Sequence, residues 1–335
     1  MSKVIAVAFS DLHLNIWAKF NKDNKRTQDS FRVLFKIIKE CEKYGVPALF
    51  CGDLFHKPEN LDLDLALMFR DFMKDVYIHH PKFKMFCIAG NHELKSVNSL
   101  IINDKGRYET TARSWLDVFE NDHPIRVLSP STPAGHIGIG GIGVMVHGVP
   151  YIDHNIGMGK YLKSLRLMEG FKHILLLHTD YPGAKDTDGR VIDSAENINL
   201  NMLNRFDLVL CGHIHKPQRL SKKVYMLGAP IQQRRTDKDC KMGYWLVMDD
   251  MSMKFVELKD FPKFIDVESE EDIKDDGNYY TILPKKVSSE KLDIDHKITK
   301  QLSKKRLAKR YMKQKGIKDK KKENLLINVL KKSEV

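Results

Sequence analysis

Five apolar runs in this 335-residue chain stop in the same way. VIAVAFSDLH, PALFCGDLFH, KMFCIAGNHE, HILLLHTD and LVLCGHIH each run into Asp, Asn or His. The residues delivered are Asp11, His13, Asp53, His56, Asn91, His92, His178, His213 and His215, which include six of the fourteen histidines. A single histidine after a strand is an ordinary loop hydrogen-bonder, but the same ending used five times builds a cluster. Imidazole, carboxylate and amide-oxygen donors together suit manganese, iron or zinc, whereas an oxygen-only set would suit magnesium or calcium and a thiolate set structural zinc. The donors are too many for one ion. Two ions about 3.5–4 Å apart sharing a carboxylate accommodate them, and that arrangement hydrolyses phosphate esters. Asp53 is the natural bridge.

Such a cluster forms only if the strands end side by side, and ligands of open α/β sheets bind beyond the carboxyl ends of strands. The periodicity predicts a strand over Val4–Phe9, a helix over Thr27–Tyr44 with Phe31, Leu34, Phe35 and Ile38 on one face, and a strand over Ala48–Cys51. A helix over Leu61–Tyr77 and a strand over Met85–Ala89 complete a βαβαβ opening. Later strands are expected at Ile137–Val146, Ile174–Leu177, Leu208–Cys211, Val224–Leu227, Tyr244–Met248 and Lys254–Leu258, with one more at Tyr279–Leu283. GHIGIGGIG, from Gly135 to Gly143, contains a formal GxGxxG. It lies inside an alternating apolar run with no helix pattern after it, so these are strand glycines rather than a dinucleotide fingerprint.

With 42% hydrophobic residues and no apolar run near the roughly 18–20 residues of a membrane span, a globular, non-membrane protein is expected. The N-terminus does not read as a signal peptide. Five widely spread cysteines without a CxxC pair read as reduced core thiols. The net charge of +12 is carried entirely from Pro284 onward, where 18 Lys/Arg face 6 Asp/Glu. Helical spacing of apolar residues over Ser288–Met312 and Lys320–Leu330 predicts a basic helical hairpin there, an element that meets a partner.

The ordered set DxH (Asp11, His13), GD (Gly52, Asp53), GNHE (Gly90 to Glu93), strand-end His178 and GHIH (Gly212 to His215) resembles the calcineurin-like metallophosphoesterase superfamily over residues 4–258. The resemblance implies an α/β four-layer sandwich, two mixed β-sheets flanked by helices, with a small C-terminal appendage and a helical tail. The divisions expected are 1–260 for the nuclease domain, 261–284 for a reduced capping element or linker, and 285–335 for the hairpin. Protein phosphatases of this superfamily carry an arginine shortly after GD, but here Leu54, Phe55, His56, Lys57 and Pro58 follow. GDLFH, the SDLHL of His13, GAPIQ at Gly228 to Gln232 and KMGYWLV at Lys241 to Val247 resemble the SbcD-type DNA repair nucleases. The compact length and lysine-rich end resemble the bacteriophage recombination exonuclease subunits.

That resemblance implies one metal held by Asp11, His13, Asp53 and His215 and a second by Asp53, Asn91, His178 and His213. His92 would be the catalytic histidine, His56 its support, and Glu93 an organiser of the loop. The cofactors would be two divalent ions, manganese first and magnesium second. The activities would be 3′-to-5′ exonuclease on duplex DNA and endonuclease on single strands. The partners would be DNA ends, contacted through the backbone without base specificity, and an SbcC-type coiled-coil ATPase docked on the C-terminal helices. A homodimer is expected through Leu61–Tyr77 and a segment after Asn98. The location would be cytoplasmic, in the host bacterium if phage-encoded. The competing readings are a metallophosphoesterase acting on nucleotides or small phosphoesters, and a non-catalytic DNA-end scaffold. Cellular relatives carry a larger capping domain than the residues after 260 can form.

Overall fold

Short apolar runs buried on both faces build two sheets with a shared interior between them. A computed structural model describes residues 2–283 apart from 58–60, 121–123, 133, 140–141, 194–197 and 199, so the hairpin expected at 288–330 lies outside the described residues. The chain opens with β1 (Val4–Phe9), α1 (Lys25–Tyr44), β2 (Ala48–Phe50), α2 (Leu63–His79) and β3 (Met85–Cys87). A ribbon of β4 (Leu100–Ile102) and β5 (Tyr108–Thr110) precedes β6 (Ile125–Val127). The second half contains β7 (Gly135–Ile139), β8 (Ile142–Val149), α3 (Met158–Ser164), β9 (Lys172–His178), α4 (Leu200–Leu203), β10 (Leu208–Gly212), β11 (Gln218–Arg219) and β12 (Val224–Met226). The antiparallel pair β13 (Gly243–Met248) and β14 (Met253–Glu257) then returns to the first sheet, and β15 (Phe264–Val267) pairs in parallel with β16 (Tyr279–Ile282).

Each large sheet has six strands, ordered β14-β13-β1-β2-β3-β6 and β11-β12-β10-β9-β8-β7. In each, four neighbouring strands run parallel and the antiparallel partners lie outside them. Successive side chains of a strand point to opposite faces, so one run supplies two interiors. Ala8, Leu49, Cys51, Ile174, Leu176, Leu208 and Leu210 pack between the sheets. Val7, Phe9, Ala48 and Phe50 pack outward against α1 and α2. On the far side Leu175, Leu177, Val209 and Cys211 pack against α3 and α4. The result is the expected sandwich of two mixed sheets between helices. Among the described residues no helix is long and apolar enough to cross a membrane.

Several local expectations are corrected. The buried stripe of α1 is Ser30, Val33, Leu34, Ile37, Ile38 and Cys41, and Phe35 is 42% exposed. Phe31 and Phe35 lie one position around the helix from that stripe, at its edge. The single strand expected over Ile137–Val146 is two antiparallel strands, β7 and β8, with Gly140 and Gly141 between them in the sequence. After Asn98 the chain forms the short β4–β5 ribbon.

A pair of histidines is buried on the outer face of the second sheet. His147 Nε2 and His173 Nδ1 are 2.9 Å apart, and His173 Nε2–H donates to the Met168 carbonyl at 3.0 Å. Burial, and then the neighbouring His173, push His147 down to about 4. The unfolded chain, with a histidine pKa near 6.5, binds more protons between those values than the folded one. The contribution of His147 to stability is therefore full above about pH 6.5 and is lost toward pH 4, by about 3 kcal/mol. His147→Gln should flatten this slope in urea unfolding followed against pH, and an unchanged slope would assign the acid sensitivity elsewhere.

Candidate metal centre

Each motif begins where a parallel strand ends. Asp11 and His13 follow β1, Asp53 and His56 follow β2, and Asn91 and His92 follow β3. His178 closes β9, and His213 and His215 follow β10. Three loops come from the first sheet and two from the second, so the site straddles the carboxyl ends of both. The structure brings all nine side chains together.

They form overlapping groups. Asp11, His13 and His215 each offer a donor atom, and these lie within 4.8 Å of one another; Asp53, His178 and His213 do the same, as do His13, His56 and His92. Asp53 Oδ2 is 3.3 Å from His178 Nε2, 3.7 Å from His13 Nε2 and 4.0 Å from His92 Nε2, so it borders every group. Asn91 Oδ1 lies 3.1 Å from His178 Nε2 and 3.0 Å from His213 Nδ1.

Such convergence needs room at the backbone. A Cβ on Gly52, which has φ +90°, would fall 2.5 Å from His178 Nδ1 and 2.7 Å from the Gly90 nitrogen, closer than real side chains come. Four of the functional positions are themselves left-handed: Asp11 (φ 52°), His13 (φ 49°), Asp53 (φ 59°) and His213 (φ 92°). Non-glycine residues seldom adopt this conformation, and here it turns each loop back toward the common centre.

Backbone and carboxylate partners fix the rings. His178 Nδ1–H donates to the Cys51 carbonyl at 2.6 Å, which leaves Nε2 facing Asn91 and Asp53. His92 Nδ1–H donates to the His56 carbonyl, leaving Nε2 toward Asp53. His215 Nδ1 faces the buried Asp237 carboxylate at 3.4 Å, and its Nε2 lies 3.1 Å from His13 Nε2. A partner that holds one ring nitrogen presents the other for coordination or proton transfer.

The electrostatics favour added cations. Asp11 and Asp53 are buried, and among the described residues neither forms an ion pair with Lys or Arg. Burial raises the Asp11 carboxyl above its usual range. For Asp53 burial also acts upward, but the His178 charge and hydrogen bond prevail and hold it low. The same pairing overcomes burial at His178 and raises it to about 9. Burial first, and adjacent imidazoles second, bring His56 and His213 down to about 4, so at neutral pH their lone pairs are free. Two buried carboxylates without a Lys or Arg partner, set among imidazoles and one amide oxygen, with the proton on His178 standing where a cation would take its place beside Asp53, fit divalent metal ions.

Glu93 ties two loops together. Its Oε2 accepts from the Asp53 and Gly90 N–H groups at 2.9 and 2.8 Å, and its Oε1 accepts from Phe55 N–H at 2.9 Å. Burial, then the Asp53 charge, raises its carboxyl to about 8 against the pull of those donors. Glu93→Ala leaves three buried N–H groups without an acceptor and should cost about 3 kcal/mol in chelator-treated protein, read by urea unfolding. A loss below about 1 kcal/mol would mean the two loops are held by other contacts.

Sequence reasoning passed over two acids. Asp180 directly follows His178 and Thr179, and its Oδ1 is 3.4 Å from His213 Nε2. It stood in a quoted motif, so the signal was present. Asp237 is fully buried in a 3-10 turn between the GAPIQ and KMGYWLV segments, and only the fold reveals that it faces His215.

A family model described as calcineurin-like phosphoesterase matches residues 6–217. No curated protein matches the chain. Among solved structures, a hypothetical protein from Thermus thermophilus is similar at 14% identity, over 67% of this chain and 75% of that one, with a TM-score of 0.33. The NAD nucleotidase NadN of Haemophilus influenzae is similar at 14% identity, over 81% of this chain and 59% of that one, with a TM-score of 0.39.

Proposed function

The chain belongs to the calcineurin-like phosphoesterase family, and from that premise we propose that this metal-dependent phosphoesterase is a DNA nuclease using two manganese ions. It cleaves duplex ends 3′ to 5′, cuts single strands internally, and serves as the catalytic subunit of an SbcCD-like ATP-dependent recombination and repair complex. The observation that carries the reading is the pair of imidazoles beside Asp53. His56 and His92 lie face to face with centroids 5.6 Å apart and planes at 19°. A phosphomonoester dianion calls for an arginine fork, whereas a diester carries one negative charge, and the alkoxide that either one expels needs a proton. The arginine lining this open cleft of about 330 Å³, Arg234, is paired with Asp237. Imidazoles at the position beside Asp53, with the arginine of the cleft drawn through Nε to Asp237 at 3.4 Å, suit a diester.

Bound divalent ions supply positive charge to the phosphate oxygens and make water nucleophilic near neutral pH. Asp11, His13, Asp53 and His215 on one side, and Asp53, Asn91, His178 and His213 on the other, would hold them. His92, with Nδ1–H held by the His56 carbonyl, presents Nε2 to the departing 3′ oxygen; acting as an imidazolium it would pass the Nε2 proton to that oxygen and be left neutral. Recognition rests on phosphate charge and weakens with salt. The basic C-terminal segment docks the coiled-coil ATPase in this reading. Leu63, Leu67, Met68, Tyr77 and Ile78 of α2, all exposed, support a homodimer.

The test is degradation of end-labelled linear duplex DNA by the purified chain with manganese, alone and with the ATPase subunit, beside hydrolysis of small chromogenic diesters and monoesters. Manganese-dependent shortening of DNA with preference for the diester is expected. Monoester hydrolysis with intact DNA would overturn the nuclease reading.

A further inference from the structure

Behind His56 lies a second layer that no motif announces. The Trp17 ring packs on His56 with centroids 4.7 Å apart and planes at 41°. On Trp17 sits the guanidinium of Arg26, its carbon 3.6 Å from the ring centroid. Arg26 is buried, donates to the Gln233 carbonyl at 2.6 Å and to the Lys19 carbonyl at 3.3 Å, and has no carboxylate partner among the described residues. Its remaining neighbours are aromatic. The guanidinium carbon is 5.5 Å from the Phe264 centroid and 5.3 Å from that of Tyr279, one residue from each strand of the β15–β16 pair, and Phe20 closes the cluster against both rings. A row of stacked groups thus runs from the last sheet of the described chain to the imidazole beside the metal centre.

We propose that Trp17 is a positioning residue for His56, and that Arg26 fastens it to Phe264 and Tyr279, so that the β15–β16 sheet sets the geometry of the His56–His92 pair. A desolvated guanidinium between aromatic faces is held by cation–π attraction and offers little slack, since its hydrogen bonds to two carbonyls fix its plane. Movement of the sheet therefore reaches Trp17 through Arg26. From Trp17 it reaches His56, whose carbonyl holds His92 Nδ1. β16, which carries Tyr279, ends at Ile282. The inference rests on His56 and His92 working beside the metals, and it holds whether the substrate is DNA or a smaller diester.

The experiment uses the full chain with manganese and a chromogenic phosphodiester, and measures kcat, KM, manganese stoichiometry and tryptophan emission in parallel. Trp17→Ala and Tyr279→Ala should each lower kcat about tenfold with KM within about twofold and metal stoichiometry unchanged. Trp17→Phe, which keeps a ring against His56, should restore most of the loss. The double variant should lose little more than either single one, because both break the same row. Losses that multiply, or a Tyr279→Ala enzyme with unchanged kcat, would overturn the coupling. Emission from Trp17, read as the difference between the parent and Trp17→Phe, needs no turnover. It should move to longer wavelength in Tyr279→Ala, whose substitution lies outside the centre. Unshifted emission would overturn the proposal even if the chain hydrolysed no substrate, whereas inactivity with shifted emission would count against the proposed function alone. If Trp17→Ala fails to fold, the Tyr279→Ala kinetics and emission decide.

Discussion

Asp53→Asn should lower turnover of a small phosphodiester by on the order of a thousandfold, about 4 kcal/mol of lost transition-state stabilisation. The substitution keeps the volume and one oxygen but removes the charge bordering all three groups of donors, 3.3 Å from His178, 3.7 Å from His13 and 4.0 Å from His92. Two cations held close together repel each other unless a shared anion lies between them, so the metal content should fall from two per chain toward one. Equilibrium dialysis with manganese, followed by metal analysis of the protein, checks this alongside the kinetics. A variant that kept both ions and more than about a tenth of its activity would move the bridge to Asp11.

The second large effect separates proton transfer from coordination. His92→Gln should lose about 10² to 10⁴ in kcat while retaining both ions. His92 reaches Asp53 only at 4.0 Å and is held by the His56 carbonyl, and neither the Asp11 nor the Asp53 donor group includes it. It does share a group with His13 and His56. Loss of an ion in His92→Gln would therefore identify that third group as a coordination site and remove His92 from leaving-group chemistry.

The nine side chains of the centre could be singled out from sequence because every one stands at or directly after an apolar run, and a parallel sheet carries the ends of such runs to one edge. The acids behind them had no such address. Asp237 acts on His215 across a loop, and nothing local distinguishes it from a solvated aspartate. The same division holds for the fold. Long periodic segments such as α1 and α2 were readable to within two residues at each end, and β2 and β3 began where expected. By contrast β4, β5, β6, β11 and β15, about as short as β2 and β3, lie outside the apolar runs that end in a motif and so had no second signal to mark them. Phe35 was misplaced because a stripe about 100° wide leaves its flanking positions undecided until the sheet beneath is known. That β13 and β14 should cross back to join β1 is long-range pairing, which no local pattern encodes.

The left-handed backbone at His13 and His213 has a consequence for anyone who sets out to toughen this protein. Each such residue costs about 1 kcal/mol that a glycine there would recover. A directed-evolution campaign rewarding survival at high temperature alone weighs that relief against the packing of the ring, and wherever glycine is accepted it returns an inert protein. Selection must score hydrolysis and endurance in the same clone, because at these two positions backbone relief and catalysis favour different residues.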